Sequence, residues 1–139
     1  EKCVGMWNKN MLLAKMFNDS KDTLESLKKD YKLVLIANSD PFSVPAVVEK
    51  FKLDEIFDEI IYSFEEGFLK CDGELYEKAL NKLGIEKDDA VMIGDSVESD
   101  IESANKFGIK SILVDRKDKR EFENKVVSLD DLRDHLTKL

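Results

Sequence analysis

Two aspartates near the predicted junction of a strand and a helix are the first candidates for chemistry in this chain. Asp95 and Asp100 follow an apolar run at residues 91–93, which breaks at Gly94. Such a run predicts a strand buried on both faces, and the helical spacing from Ile101 onward predicts a helix after it. Ligand sites of open parallel sheets lie at the carboxyl ends of strands. Two carboxylates at such a place favour a hard cation such as Mg²⁺.

A purely structural interpretation of the same pair is open at this stage. With 30 Asp and Glu among 139 residues, two acids close together in sequence are common. Asp95 can instead cap the following helix, and Asp100 can be a solvated acid in its first turn. The polar residues that follow the other predicted strands therefore carry weight in choosing between the two interpretations.

Polar residues also follow two earlier predicted strands. Asn38 and Ser39 come directly after the apolar run at residues 32–37, and their side chains and backbone N–H groups can hold phosphate oxygens. Lys70 follows a second run, at residues 59–63, and its charge can neutralise a phosphate or a carboxylate. Anion-binding groups and a cation site at one edge of a sheet indicate phosphate chemistry with Mg²⁺. The ordinary alternatives are turn-forming residues after the first strand and a solvated surface lysine.

The elements that must position these residues alternate along the chain. Further strands are predicted at residues 111–115 and, as a short edge strand, at 126–127, with helices between the strands. Apolar strands separated by helices predict an α/β fold with a parallel sheet covered on both faces. The charged stretch at residues 116–123 is predicted to be a solvated loop or a frayed helix.

The composition limits the partners and the compartment. A net charge of −8 argues against nucleic acid and against a polybasic membrane patch, and no apolar run is long enough to span a bilayer. Cys3 and Cys71 lack metal-type spacing, so we expect reduced thiols in a cytoplasmic protein, with a single disulfide as the alternative. The chain begins at Glu1 rather than Met, which leads us to expect a processed or partial product.

Four segments, taken in order, resemble the haloacid dehalogenase-like (HAD) superfamily. They are LVLIANSDP, FLKCDGELYEKAL, VMIGDSVESDIESANKFGI and SILVDR. The resemblance covers roughly residues 17–116, and the ordered set is more specific than any one motif. It implies a three-layer αβα, Rossmann-like core at residues 18–139 and a remnant of a helical cap at residues 1–17. Superfamily members are mostly Mg²⁺-dependent phosphatases, so the resemblance also implies a hydrolase acting on a small phosphorylated metabolite.

The resemblance also implies a role for each candidate residue. Asp95 and Asp100 form the metal site, with Asp95 binding Mg²⁺ directly and Asp100 supporting the metal or the lysine. Lys70 acts catalytically by steadying the phosphorylated nucleophile. The remaining candidates bind phosphate or support the site, and they are Asn38, Ser39, Gly94 and Ser96.

The chain departs from the family pattern in two places. The family nucleophile is the first Asp of an Asp-x-Asp motif that ends the first strand, and no such strand precedes Lys32. Ala37 stands where the family usually has Ser or Thr, so a hydroxyl is missing unless Ser39 substitutes for it. This chain alone is therefore predicted to be inactive.

The absent strand would lie between the predicted strands at residues 32–37 and 91–93. An open apolar slot of this kind invites strand borrowing. We therefore expect one of three arrangements: a lost amino-terminal part, direct pairing of the flanking strands, or a gap filled by residues 3–7 or by a partner chain such as a second copy.

Two classes of function follow. The first is a HAD-like phosphohydrolase that is catalytic in its complete form. The second is a non-catalytic HAD-like module used for binding or assembly, which Ala37 and the missing nucleophile favour. A receiver domain of the response-regulator type ranks lowest, because it needs an acidic cluster near the amino end that this chain lacks.

Overall fold

The computed structural model describes residues 13–138 and divides into two compact units, Glu1–Phe68 and Leu69–Leu139. We call them the amino-terminal unit and the carboxyl-terminal unit and describe each by itself. No helix in the described range has both the length and the apolar character needed to cross a membrane.

The amino-terminal unit is built around two parallel strands. Its elements are, in chain order, α1 (Ser20–Leu27), β1 (Val34–Ala37), α2 (Val44–Phe51), a 3₁₀ turn (Leu53–Glu55), β2 (Glu59–Tyr62) and α3 (Ser63–Glu66). In the ladder, Val34 lies opposite Glu59 and Ala37 lies opposite Tyr62. Pro45 fits in the first turn of α2, where the missing N–H has no helical partner to lose.

The carboxyl-terminal unit contains a three-stranded parallel sheet in the order β3-β4-β5. Its elements are a 3₁₀ turn (Lys70–Asp72), α4 (Glu74–Leu83), a 3₁₀ turn (Lys87–Asp89), β3 (Val91–Gly94), a π-helical segment (Val97–Glu102), α5 (Ser103–Phe107), β4 (Lys110–Val114), β5 (Lys125–Val126), a 3₁₀ turn (Leu129–Asp131) and α6 (Leu132–Leu136). The core side chains Leu75, Ile101, Ile112 and Leu113 are fully buried. Burial of these aliphatic groups supplies the main driving force that holds the helices on the sheet.

The predicted α/β class with parallel strands is confirmed. The first two strands are shorter than predicted, the third extends to Gly94, and the last two begin one residue earlier than predicted. Residues 116–123 form a loop rather than a helix. The strands fall in two sheets, one in each unit, and the expected arrangement at the missing strand stays a prediction. Residues 3–7 and most of the predicted cap remnant at 1–17 lie outside the described residues, and the remnant stays a prediction.

Candidate active site

A buried ion pair in the carboxyl-terminal unit joins two of the predicted site residues. The Nζ atom of Lys70 lies 2.8 Å from Oδ1 of Asp100, across 30 positions of sequence. The Lys70 and Asp100 side chains are only 13% and 6% exposed. Removing one partner of such a pair leaves an uncompensated buried charge, which typically costs about 3–5 kcal/mol. The pair is therefore a fixed part of this unit rather than a solvated surface contact.

The Asp100 carboxylate also organises the end of β3. Its Oδ2 accepts a hydrogen bond from the backbone N–H of Ser96 at 3.1 Å, and its Oδ1 accepts one from the Ser99 hydroxyl at 3.3 Å. Both oxygens are thus engaged by donors of the protein. Of the two roles predicted for Asp100, support of the metal and support of the lysine, this arrangement favours support of Lys70.

Gly94 makes room for the Asp100 side chain. A Cβ atom at Gly94 would lie within 2.5 Å of Asp100 Cγ, closer than real Cβ atoms come to neighbouring atoms. The requirement for glycine is therefore steric, since any larger side chain would displace the carboxylate that holds Lys70 and Ser96. The glycine in the sequence motif supports the site by this close approach.

The helix that carries Asp100 begins with a π-helical segment. The N–H of Ile101 bonds to the carbonyl of Ser96, five residues back, and the Ser96 hydroxyl accepts from the N–H of Ser99. Segments of this kind leave main-chain carbonyls in need of other partners and occur often at functional sites. The Tyr76 hydroxyl donates to the carbonyls of Ser99 and Asp100, at 3.4 Å in each case.

Tyr76 and Ser103 bind backbone carbonyls at or next to the ion-paired residues, and sequence reasoning missed both. Burial raises the pKa of Tyr76, and the negative charge of Asp100 raises it further. A hydrogen bond with Ser103 lowers this pKa and so opposes part of the rise. The phenol therefore stays protonated and able to donate. The Ser103 hydroxyl donates to the carbonyl of Lys70 at 2.6 Å, which fixes the backbone from which the lysine side chain extends. Nothing in the sequence around either residue marked it as a partner of Lys70.

Asp95 is the exposed carboxylate of this group. It directly follows Gly94, the last residue of β3, and so lies at the carboxyl end of a parallel strand, as predicted. Its backbone carbonyl accepts a hydrogen bond from Nη1 of Arg120 at 2.6 Å. Arg120 comes from the loop that sequence reasoning treated as solvated, and no pattern in that loop pointed to Asp95.

The donor set suits part of a Mg²⁺ site. Mg²⁺ takes hard oxygen ligands, usually one or two carboxylates together with waters and substrate phosphate. Asp95 supplies one exposed carboxylate, whereas Asp100 is occupied by Lys70 and Ser96. Among residues 13–138 no group of three or more acidic, histidine or cysteine side chains is placed to hold a metal ion. The residues present therefore fit a Mg²⁺ site in part, with Asp95 as one of its ligands.

The predicted phosphate binders Asn38 and Ser39 belong to the amino-terminal unit. Asn38 is exposed and directly follows β1. The N–H of Ser39 donates to the hydroxyl of Ser63 at 2.9 Å, and that hydroxyl donates back to the Ser39 carbonyl at 3.2 Å. The Ser39 hydroxyl donates to the Asp40 carbonyl and accepts from the N–H of Val44. Ser39 thus fixes the start of α2, and its role toward phosphate stays a prediction.

Asp40 completes this turn. Its carboxylate accepts from the backbone N–H groups of Phe42 and Ser43, at 2.7 and 2.9 Å, and from the Ser43 hydroxyl. These bonds hold the pKa of Asp40 below its usual range, and the bond from the Ser43 hydroxyl lowers it most. The turn after β1 therefore has the ordinary Asx geometry that the sequence also allowed.

Comparison with known proteins then identifies the family. The family model for haloacid dehalogenase-like hydrolases matches residues 1–114. The chain belongs to this family. The resemblance and the α/β class drawn from the sequence are confirmed.

Two curated relatives of this HAD-like chain are phosphatases. It is 32% identical over 108 residues to the glyceraldehyde 3-phosphate phosphatase of Methanothermobacter thermautotrophicus, covering 77% of this chain and 48% of that protein. It is 28% identical over 112 residues to the N-acylneuraminate-9-phosphatase of Homo sapiens, covering 80% of this chain and 45% of that protein. The chain therefore spans less than half the length of each of these relatives.

Solved structures share the fold. The crystal structure of a HAD phosphatase from Thermococcus onnurineus matches with a TM-score of 0.85 and 25% identity, over 98% of this chain and 65% of that chain. That of a 2-haloacid dehalogenase from Pseudomonas syringae matches with a TM-score of 0.78 and 24% identity, over 89% and 54%. The second likeness concerns the fold alone.

Proposed function

We propose that the complete protein to which this chain belongs is a phosphatase that acts on a small phosphomonoester. An aspartate outside the described residues attacks phosphorus, the ester P–O bond breaks, and the leaving oxygen takes a proton. Water then cleaves the aspartyl phosphate and releases inorganic phosphate. The observation that carries the proposal is the buried Lys70–Asp100 pair. The Asp100 carboxylate accepts a hydrogen bond from the N–H of Ser96, the residue next to the exposed Asp95 at the end of β3.

In this proposal Lys70 supplies positive charge toward the phosphoryl group. The Asp100 carboxylate, 2.8 Å from the ammonium group of Lys70, limits the rotation of that group, and Ser103 fixes the backbone of the lysine. A positioned charge of this kind stabilises a transition state without reorganising when the reaction occurs. Asp95 would hold Mg²⁺, which when bound shields the charge of the phosphate. Ser39 and Asn38 are proposed to contact phosphate oxygens from the turn after β1.

We propose that the nucleophile lies outside the residues that the structure describes. Neither aspartate of the β3 end is suited to that role, since Asp100 is ion-paired and Asp95 is the proposed metal ligand. We therefore propose that this chain by itself does not turn over phosphomonoesters. Either the rest of the complete protein or a partner chain supplies the catalytic aspartate.

The test is a phosphatase assay on the full product of the gene. A panel of phosphomonoesters is assayed for release of inorganic phosphate with Mg²⁺ and with EDTA. We expect Mg²⁺-dependent release, its loss in Asp95→Asn, and its retention in Glu98→Gln, which removes a nearby exposed carboxylate as a matched control. Metal-independent release, or equal activity in both variants, would contradict the proposal.

A second function, a non-catalytic HAD-like binding module, is favoured by one observation. Ala37 is only 8% exposed and offers a methyl group where the family usually has a hydroxyl. Ser39, the proposed substitute, already uses its hydroxyl on Asp40 and Val44. The coding sequence upstream of Glu1 separates the two functions, because an Asp-x-Asp strand there supports the enzyme and a start codon directly before Glu1 supports the module.

A further inference from the structure

The peptide group between Asp95 and Ser96 is held at both of its polar atoms. Its carbonyl oxygen accepts from Nη1 of Arg120 at 2.6 Å, and its N–H donates to Oδ2 of Asp100 at 3.1 Å. A peptide group is planar, so two bonds on its opposite polar atoms fix the orientation of the whole plane. That orientation sets the backbone torsion of Asp95 and hence the direction in which its side chain leaves the strand end.

The loop that carries Arg120 is itself tightly held. Asp115, buried at the end of β4, accepts from the backbone N–H groups of Lys119 and Arg120 at 2.8 and 2.7 Å. From the other side, the ammonium of Lys125 donates to Oδ1 of Asp118 and to the carbonyl of Arg120, each at 2.6 Å. The backbone of Arg120 is therefore fixed through both its N–H and its carbonyl, which restricts where the guanidinium can reach.

We infer that Arg120 is a positioning residue for the Asp95 carboxylate. The inference rests on the proposed role of Asp95 as a metal ligand. In this arrangement Asp100 and Arg120 hold one peptide group from two sides, one from the segment after β3 and the other from the loop after β4. Partners of this kind, which orient a metal ligand without touching the metal, commonly change metal affinity by about 10–100-fold when they are removed.

Charge and position predict opposite signs for the effect of removing Arg120. If the guanidinium acted only through its charge, its loss would strengthen the binding of a cation nearby, because like charges repel. If it positions Asp95, its loss lets the peptide group rotate and weakens cation binding. The sign of the change therefore distinguishes the two roles.

The experiment measures Mn²⁺ binding by electron paramagnetic resonance in the complete protein, with Mn²⁺ as the probe for the site. We expect Arg120→Met to weaken binding about tenfold and Arg120→Lys to weaken it less, because an ammonium retains one donor and the charge. Lys117→Met is the matched control, because it removes one exposed cation from the same loop, and it should leave binding unchanged or slightly tighter. In turnover, kcat should fall in Arg120→Met while KM changes little.

A second measurement does not depend on metal or activity. Hydrogen exchange of the Ser96 amide should accelerate about tenfold in Arg120→Met, while the amides of β4 keep their protection. Unchanged Ser96 exchange, or Mn²⁺ binding as tight as or tighter than wild type in Arg120→Met, would overturn the inference. If Arg120→Met does not fold, the same two criteria apply to Arg120→Lys. If Asp95→Asn leaves Mn²⁺ binding unaltered, the proposed role of Asp95 fails, whereas Ser96 exchange still judges the contact made by Arg120.

Discussion

Replacing Gly94 by alanine tests the packing at the end of β3. The new Cβ would lie within 2.5 Å of Asp100 Cγ, so the carboxylate must move away. Its displacement breaks the bond from the Ser96 N–H and separates the buried Lys70–Asp100 pair. Breaking a buried pair costs about 3–5 kcal/mol, so we expect Gly94→Ala to lower the free energy of unfolding by about 3 kcal/mol or more.

Urea unfolding followed by circular dichroism measures this loss. Gly84→Ala is the control for a general effect of the substitution, since nothing lies within 4 Å of its Cβ and only its positive φ of 64° is strained. That strain costs about 1–2 kcal/mol. A double-mutant cycle adds Asp100→Gly, which removes the Cβ together with the carboxylate and so removes the clash, and there Gly94→Ala should cost about 1 kcal/mol or less. An equal cost of Gly94→Ala in both backgrounds would refute the steric argument.

Two further predictions concern the charged groups of the carboxyl-terminal unit. Lys70→Met should lower the free energy of unfolding by about 3–5 kcal/mol by leaving Asp100 buried without its partner, and Lys70→Met with Asp100→Leu should recover part of that loss in the same urea titration. A Lys70→Met variant as stable as wild type would contradict the burial argument. Hydrogen bonds, chiefly from the N–H of Arg120, hold the pKa of Asp115 below its usual range against the effect of burial. The stability that this carboxylate adds is therefore full above the unfolded pKa near 3.8 and is lost as the pH falls through the lower folded value. Asp115→Asn should thus lower Tm more at pH 7 than near pH 2.5, as judged by thermal unfolding at both pH values. An equal Tm difference at the two pH values would show that Asp115 acts other than through its charge.

The sequence by itself determined the class of fold and the positions where chemistry is carried. Apolar runs without alternation gave parallel strands at β1, β2, β3 and β4, because a strand buried on both faces needs apolar side chains at every position. The break at Gly94 placed Asp95 directly after a strand. These are local properties, so a pattern of neighbouring residues suffices to predict them.

Only the tertiary structure decided which side chains meet. Lys70 and Asp100 lie 30 positions apart, and Arg120 and Asp95 lie 25 apart, so no periodicity connects either pair. Their contacts depend on the register of β3 against β4 and on the depth at which the π-helical segment packs. The same packing showed that Asp100 is bonded to Lys70 and Ser96, where the sequence left its role open between metal and lysine. Long-range geometry of this kind arises from the burial of a shared core, and the local sequence contains no record of it.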